Sequence, residues 1–439
     1  MASGTSLEFG EQSDVGLRRA ANQDAKAVLA PWSAEQYRRR GWLFVVADGM
    51  GAHAAGETAS ALAAEHVPLV YEKHAAHSPP LALRLGIEQA NAEIHARGET
   101  SLDLKGMGTT CTTLAIVPRG AIVGHVGDSR AYRIRGGTIE QLSRDHSLVW
   151  EIEARRAAGE QGLPDVPRNV ITRSLGPHPR VEVDLEGPFG VEDGDVFVLC
   201  SDGLSGQVAD EEIGALAANL APARAAEALV GLTLARGAPD NVTVIVARAG
   251  PAEASRASAG DEPWPMGVDE AVAAPPAAFP VKTLAAAAAA LLAALVLSPA
   301  SDLMRDGGLL GGLLGGMRET VAWVTCTVLG LTSLALVLTA LVGFFVPAGG
   351  QPLFLPVGRR AGGGPYRRHD CRLTPALVEG IADTIATAAD GLDAARAART
   401  AAAVERVRHC LAGGDLAGGL DAAAAAIGGY TASVGESRR

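Results

Sequence analysis

Residues 42–49 read WLFVVADG, an apolar run that ends in an acidic residue and a glycine. The same pattern recurs in AIVGHVGD at 121–128 and in DVFVLCSDG at 195–203. Short runs rich in Val, Ile and Leu that end at turn residues predict buried β-strands. Longer Ala- and Leu-rich stretches predict helices, but these do not alternate regularly with the strands. Residues 1–250 are therefore predicted to form a mixed α/β domain rather than a doubly wound parallel sheet.

The composition excludes several classes of protein. The chain has 439 residues and a formal net charge of −11, which argues against nucleic acid as a partner because phosphate backbones bind basic surfaces. Its five cysteines lie far apart and form no CxxC pair, which argues against a zinc knuckle or a disulfide framework. The polar, acidic N-terminus lacks the apolar run of a signal peptide, so the first domain is expected in the cytoplasm.

Four aspartates mark the candidate chemistry. Asp48, Asp128 and Asp202 each follow an apolar run, and Asp240 directly precedes a fourth run in GAPDNVTVIVA. Carboxylates gathered in one cleft repel one another, and a divalent cation removes that cost. Oxygen ligands suit Mg²⁺ or Mn²⁺ better than Zn²⁺. Arg19 presents a fork of donors suited to a phosphate, although alone it is typical of a solvated surface arginine.

Taken together, these motifs resemble the metal-dependent protein phosphatases of the PPM/PP2C family over roughly residues 6–249. The matching residues are Arg19, Asn22-Gln23-Asp24, Asp48-Gly49-Met50-Gly51, Gly108-Thr109-Thr110, Gly127-Asp128-Ser129-Arg130, Ser201-Asp202-Gly203 and Asp240-Asn241. The resemblance implies an α+β fold, a four-layer α/β-β/α sandwich of two antiparallel sheets flanked by helices. It also implies two bound Mn²⁺ or Mg²⁺ ions at one end of the sandwich, with a third ion possible.

The resemblance assigns metal ligands residue by residue. Asp48 would bridge both metals, and the Gly49 carbonyl would contact one of them. Asp202 and Asp240 would hold the other metal. Asp128, together with Asp202, would hold a weaker third metal.

The remaining candidate residues would support the substrate and the metals. Arg19 would bind the substrate phosphate. Asn22 and Asp24 would support the metal-bound waters, and Asn241 is a further supporting residue. His53 is similar to a family histidine, although its distance from the site is left open.

The resemblance implies hydrolysis of phosphoserine and phosphothreonine on proteins by attack of a water activated by two metals, without a phosphoenzyme. Residues 145–173 match the variable flap beside the active site. Met50 stands where many eukaryotic members have a histidine, and methionine cannot donate a proton. The expected partners are phosphoproteins, a Ser/Thr kinase or its substrates, in a bacterium. A membrane-bound sensor or scaffold that only binds phosphoproteins is the alternative, and a phosphorylated anti-sigma antagonist is a further candidate substrate.

Two uncharged segments predict membrane spans. Residues 321–346 contain no charge over a length that can cross a bilayer of ~30 Å. Residues 283–301 are also uncharged but rich in alanine. Arginines cluster beyond the second segment, which predicts that this side faces the cytoplasm. The expectation is a multi-pass protein of the cell (inner) membrane, with the phosphatase domain and the tail in the cytoplasm.

The chain is accordingly divided into four parts: a phosphatase domain at 1–250, a Pro/Ala-rich linker at 251–281, a transmembrane hairpin at 282–346 and a helical tail at 347–439. In the tail, Thr374 and Pro375 predict a helix start. Gly413 and Gly414 predict its end, and Asp415 predicts the start of a second helix. The tail is either a module that binds a partner or oligomerises, or a small helical pair packed on itself. The oligomeric state is not predicted.

Overall fold

A computed structural model describes residues 6–51, 55–167, 170–255, 262–266, 281–296, 298, 318–345 and 354–437. The chain divides into two compact units. The first unit comprises residues 1–265 and 354–439, and the second comprises residues 266–353.

The first unit contains two six-stranded antiparallel sheets. The strands are β1 Glu8–Asp14, β2 Asp24–Leu29, β3 Trp42–Met50, β4 Gly108–Thr109, β5 Cys111–Val117, β6 Gly120–Val126, β7 Arg130–Arg135, β8 Thr138–Gln141, β9 Asp184–Phe189, β10 Val196–Cys200, β11 Val242–Arg248, β12 Trp264–Pro265, β13 Phe354–Leu355 and β14 Arg367–Asp370. One sheet has the order β1-β11-β10-β7-β8-β14. The other has the order β2-β3-β5-β6-β9, with β4 beside β3. Strands β12 and β13 form a separate pair.

The helices of this unit flank the sheets. They are α1 Ala34–Arg40, α2 Ala55–Lys73, α3 Pro79–Thr100, α4 Leu148–Ala157, α5 Asp202–Ser205, α6 Asp210–Asn219 and α7 Pro222–Ala235. Among the described residues, the next two helices in chain order belong to the second unit. The C-terminal part of the first unit then contains α10 Pro375–Ala389, α11 Ala394–Ala412 and α12 Leu416–Ser437. A short 3₁₀ helix, Leu102–Leu104, follows α3. Helices α2 and α3 contact strands of the second sheet, and α6 and α7 contact strands of the first.

Alternating side chains of the strands build the layers. Phe44 and Val46 of β3 pack with Phe197 and Leu199 of β10 in the core between the two sheets. The intervening residues of β10 belong to the cluster under α6 and α7. Because a strand covered on both faces needs apolar residues at every position, the sequence shows a continuous run there instead of an alternation. The predicted α+β fold with two antiparallel sheets flanked by helices is confirmed.

The C-terminal part of the chain packs against the N-terminal domain. Helices α10 and α12 both contact α7, and β14 extends the first sheet beside β8. Gly231 of α7 lies so close to α12 that an added Cβ would stand 2.3 Å from a methyl carbon of Ile427. The apolar positions of the tail are therefore buried against the N-terminal domain and not only against one another. The division of the chain into four parts stays a prediction, as does a partner for the tail.

Capping explains where the tail helices begin and end. The Thr374 hydroxyl accepts a hydrogen bond from the Leu377 N–H, and Gly413 follows the end of α11, as predicted. The Asp415 carboxylate accepts from the Gly418 N–H at the start of α12. The prediction of one continuous helix up to Gly413 is wrong, because Asp393 caps a new helix through the Arg396 N–H.

The second unit contains α8 Val281–Val296 and α9 Arg318–Phe345, which pack against each other. The Ser333 hydroxyl of α9 donates a hydrogen bond to the Ala287 carbonyl of α8 at 2.9 Å. A polar side chain thus takes part in the contact between these two helices.

The prediction of two membrane-spanning helices is wrong. None of the helices in the described part of the chain is both long enough and apolar enough to cross a membrane. Helix α8 ends at Val296 after 16 residues, a rise of about 24 Å against a hydrocarbon core of ~30 Å. Because it depended on these two helices, the predicted multi-pass localisation in the membrane is wrong as well.

Candidate active site

Asp48 and Asp24 stand side by side on neighbouring strands. The two residues are direct partners in the antiparallel register of β2 and β3. Thr110 fixes the backbone of Asp48 through two hydrogen bonds. The Asp48 N–H donates to the Thr110 hydroxyl, and the Thr110 N–H donates to the Asp48 carbonyl, both at 2.9 Å. These bonds leave the Asp48 carboxyl, and not its backbone, as the group available for chemistry.

Asp202 reaches the same place from the other sheet. It follows β10 directly and begins the single-turn helix α5. The preceding residue, Ser201, donates its hydroxyl proton to the Asp24 carboxylate at 2.8 Å and accepts from the Thr243 N–H at 3.0 Å. Ser201 therefore joins the ends of three strands, β2, β10 and β11, and brings Asp202 near Asp24.

Asp240 lies at the rim, immediately before β11. One carboxylate oxygen accepts from Arg19 Nη2 at 2.7 Å, and the other accepts from the Asn241 N–H at 2.9 Å. Arg19 is half exposed, so its guanidinium lies where a ligand from solvent can meet it. The hydrogen bond that Arg19 donates to Asp240, together with the charges of Asp240, Asp48 and Asp202, raises the pKa of Arg19.

Asn241 is a structural anchor of this rim. Its side-chain oxygen accepts from the Gln23 N–H at 2.8 Å, and its amide donates to the Val15 and Ala21 carbonyls at 2.9 Å. The Asn22 side chain accepts from the Asp24 N–H at 3.1 Å. Both asparagines thus fix the loop that carries Arg19 to β2.

Burial and mutual repulsion raise the pKa values of the clustered carboxyls. Loss of solvation is the largest cause of the raised pKa of Asp48, followed by the charges of Asp24, Asp202 and Asp128. Burial also raises the pKa of Asp24 to about 7 and that of Asp202 in the same direction. A divalent cation bound among these carboxyls would offset their mutual repulsion.

The donor set fits divalent cations. Asp128 is buried, and burial raises the pKa of its carboxyl to about 7. One oxygen each of Asp24 and Asp128 is buried without a hydrogen-bond partner among the described residues. Buried oxygens without a donor suit a cation that prefers oxygen ligands, such as Mg²⁺ or Mn²⁺. Among the described residues, no group of three or more His, Cys, Asp or Glu side chains is placed to hold a metal ion by itself.

Gly49 allows the close contact between β3 and α2. An added Cβ at Gly49 would lie 2.1 Å from the Gly56 carbonyl oxygen, so no side chain fits there. The Gly49 N–H donates to the Gln23 carbonyl at 3.0 Å. Contact of the Gly49 carbonyl with a metal stays a prediction. The prediction for His53 lies outside the described residues.

The predicted flap borders a cavity beside the carboxylates. Its helix, α4, begins with Ser147, whose hydroxyl accepts from the Trp150 N–H. The cavity of about 240 Å³ is lined by Asp128 and Asp202 on one side and by residues of the flap on the other. Arg130 lines it as well and forms a bidentate pair with Asp145: Nη2 donates to Oδ2 at 2.7 Å and Nε donates to Oδ1 at 3.1 Å.

Several residues that organise this site have no role that their sequence motifs predict. Ser201 and Thr110 belong to the motifs that carry the family resemblance, and their polar side chains are the only local signal of their role. Arg367 lines the cavity from the C-terminal part of the chain. No local pattern could have identified it, because it lies 214 residues from its ion-pair partner Glu153.

Comparisons with known proteins agree with this geometry. Residues 18–232 match the family model described as Protein phosphatase 2C. Protein phosphatase PhpP of Streptococcus pneumoniae is 33% identical over 244 residues, covering 54% of this chain and 96% of that protein. Serine/threonine phosphatase stp of Listeria welshimeri is 33% identical over 211 residues, covering 46% of this chain and 83% of that protein. The chain belongs to the protein phosphatase 2C family.

A longer relative matches only in part. Serine/threonine protein phosphatase PstP of Mycobacterium tuberculosis is 35% identical over 247 residues, covering 55% of this chain and 45% of PstP. The chain thus spans less than half the length of that relative. The solved catalytic domain of PstP in complex with two manganese ions is 33% identical, covers 56% of this chain and 98% of that domain, and has a TM-score of 0.45.

Proposed function

We propose that this protein is a metal-dependent phosphatase that hydrolyses phosphoserine and phosphothreonine on proteins. The observation that carries the proposal is the cluster of Asp24, Asp48, Asp128 and Asp202 at one end of the two sheets, with Arg19 at its rim; Asp128 is buried and the other three are half-buried. An anionic phosphate ester cannot approach so many clustered carboxylates unless cations compensate their charge. The family and the oxygen donors both support Mn²⁺ or Mg²⁺ as those cations.

The metals would be held by the strand-end carboxylates. We propose Asp48, Asp202 and Asp240 as ligands of two ions, with the Gly49 carbonyl as a further donor and Asp128 at a third, weaker site. Two divalent ions bound there would supply the positive charge that lowers the pKa of water toward neutrality and balances the phosphate.

The remaining steps belong to the chain's own residues. Arg19 would donate two hydrogen bonds to non-bridging phosphate oxygens, which orients the phosphorus toward the carboxylate cluster. Asp240 holds the Arg19 guanidinium in place before a phosphate arrives. Asn22, Asp24 and Asn241 would keep these groups in position through the hydrogen bonds described above. Met50 offers no proton for the leaving oxygen, so that proton would come from solvent.

The experiment is hydrolysis of a phosphothreonine peptide by the full-length protein with Mn²⁺, with and without EDTA. The Asp202→Asn variant should lose turnover by at least ~100-fold, since loss of a group that only supports a metal ligand already costs about 10–100-fold. Asp193→Asn, at an exposed acid before β10, is the matched control and should retain full activity.

Two results would argue against the proposal. Turnover that persists in EDTA would exclude the metal-dependent chemistry, and full activity in Asp202→Asn would exclude the metal assignment. A folded protein that binds Mn²⁺ and phosphopeptide without releasing phosphate would instead support the alternative of a phosphoprotein-binding scaffold. Candidate substrates are phosphoproteins of a bacterial cell, including a Ser/Thr kinase or its targets.

A further inference from the structure

The strand β14 brings an arginine from the far end of the chain to the active-site cavity. Arg367 pairs with Gln141 in the register of β14 and β8 and lines the same cavity as Asp128 and Asp202. The family match ends at residue 232, so this strand lies outside the matched region. The cavity wall therefore contains a residue that the family region alone does not provide.

Arg367 contacts the flap helix α4 in two ways. Its guanidinium donates to the Glu153 carboxylate at 2.6 Å and lies over the Trp150 ring, 4.2 Å from the ring centre. The neighbouring Tyr366 also contacts Trp150. The two rings are edge-on, and their centres are 6.1 Å apart. An ion pair, a cation–π contact and an aromatic pair thus converge on one turn of the flap helix.

The segment that carries Arg367 is itself anchored to both sheets. The Tyr366 N–H donates to the Gln141 carbonyl at 2.8 Å in the first sheet. The Gly364 N–H donates to the Glu186 carboxylate at 2.9 Å in the second sheet, and the Tyr366 hydroxyl donates to the same carboxylate. Arg367 therefore extends from a fixed support to a flap helix whose own surface is largely exposed.

We propose that Arg367 is a positioning residue: it holds the flap helix against the active site so that the cavity can take a side chain of a phosphoprotein substrate. This inference rests on the proposed phosphatase function and adds a determinant of substrate recognition to it. The cavity of about 240 Å³ has room for a side chain next to the phosphorylated residue. A small phosphate ester needs the carboxylates and Arg19 but has no side chain to place there.

The test uses the full-length protein and two readouts. The first is hydrogen–deuterium exchange of the amides of α4, which does not depend on activity. The second is kcat and KM for a phosphothreonine peptide and for p-nitrophenyl phosphate, with Mn²⁺ present. Arg367→Ala should speed exchange in α4 and raise the peptide KM on the order of five-fold, the scale of one exposed ion pair and one cation–π contact. The KM for the small ester should change less.

Charge reversal separates positioning from a general loss of structure. Arg367→Glu and Glu153→Arg should each raise the peptide KM, and the double variant should recover part of the loss because the pair is restored with opposite signs. Arg372→Ala is the matched control: this arginine lies two residues beyond β14 and pairs with Asp370, and it should behave as wild type in every assay.

Several results would overturn the proposal. They are unchanged exchange in α4, an unchanged peptide KM in Arg367→Ala, or a double variant no better than the single reversals. If the wild-type protein releases no phosphate at all, the proposed function fails, and exchange in α4 alone decides whether Arg367 holds the flap.

Discussion

A substitution in the tail should destabilise the phosphatase domain. Ile381 of α10 is completely buried and belongs to the same apolar cluster as Val198 of β10 and Leu229 of α7. If this cluster is one cooperative core, then removing part of the Ile381 side chain weakens the folded domain as a whole. If the tail is a separate folding unit, only the tail responds.

The magnitude follows from the atoms removed. Ile381→Ala deletes three carbon atoms from a site with no solvent exposure. At about 0.8 kcal/mol for each buried methylene, the transfer cost is ~2.4 kcal/mol. The cavity left behind adds to this, so a loss of about 2–5 kcal/mol of unfolding free energy is expected.

The neighbouring residue provides a control of opposite sign. Gly380 lies in the same helix, and an added Cβ there would meet no atom within 4 Å. Because alanine restricts the unfolded chain and favours a helix, Gly380→Ala should raise the unfolding free energy by about 0.5–1 kcal/mol. The two variants test the same helix at a buried and at an open position.

The assay is denaturant unfolding of the full-length protein, followed by tryptophan fluorescence and by far-ultraviolet circular dichroism. Trp42 lies in the core between the sheets and reports on the phosphatase domain. We expect the fluorescence midpoint to fall in Ile381→Ala and to rise in Gly380→Ala, with m-values unchanged. A fluorescence transition that stays at the wild-type position in both variants would refute the shared core.

Three other predictions concern the metals, the buried histidine and the tail contact. At Mn²⁺ concentrations of 100 times Kd, the wild-type protein should gain about 2.7 kcal/mol of unfolding free energy. In thermal unfolding, Asp48→Asn should lose most of this gain. Equal gains in the two proteins would exclude Asp48 as a metal ligand. Burial lowers the pKa of His125 to about 3. The unfolded chain therefore binds one more proton between about pH 6.5 and 3, so stability falls as pH falls, by up to ~1.4 kcal/mol per pH unit. His125→Gln should remove that slope from denaturant titrations, and parallel pH profiles would contradict it. Gly231→Leu should cost about 1–3 kcal/mol by overpacking against α12, and Ile427→Ala should restore part of the loss; no recovery in the double variant would contradict the contact.

The acidic site was predictable because its signals are local. Asp48, Asp128 and Asp202 follow strands whose apolar runs are visible in the sequence, and their order allowed the family resemblance to be stated. The pKa shifts of these groups were not predictable, since they depend on burial and on distances between strands of two sheets. For the same reason the Ser201–Asp24 hydrogen bond could not be inferred.

The membrane prediction failed because a run of uncharged residues does not set the bounds of a helix. The uncharged run extends over 283–301, but helix α8 covers only Val281–Val296. Hydropathy patterns sum over a window, whereas the helix termini depend on local hydrogen bonding.

The apolar runs that form the main strands, the acidic motifs at their ends and the resemblance to a metal-dependent phosphatase family are all visible in the amino-acid sequence. These features depend on residue type and on spacing over a few residues, which the chain carries wherever it folds. The packing of the tail on α7 and the contacts of Arg367 with Trp150 and Glu153 appear only in the folded molecule. Such contacts join residues far apart in the chain, such as Gly231 with Ile427 and Arg367 with Glu153, and they form because burying the apolar face of the tail brings β14 to the edge of the first sheet.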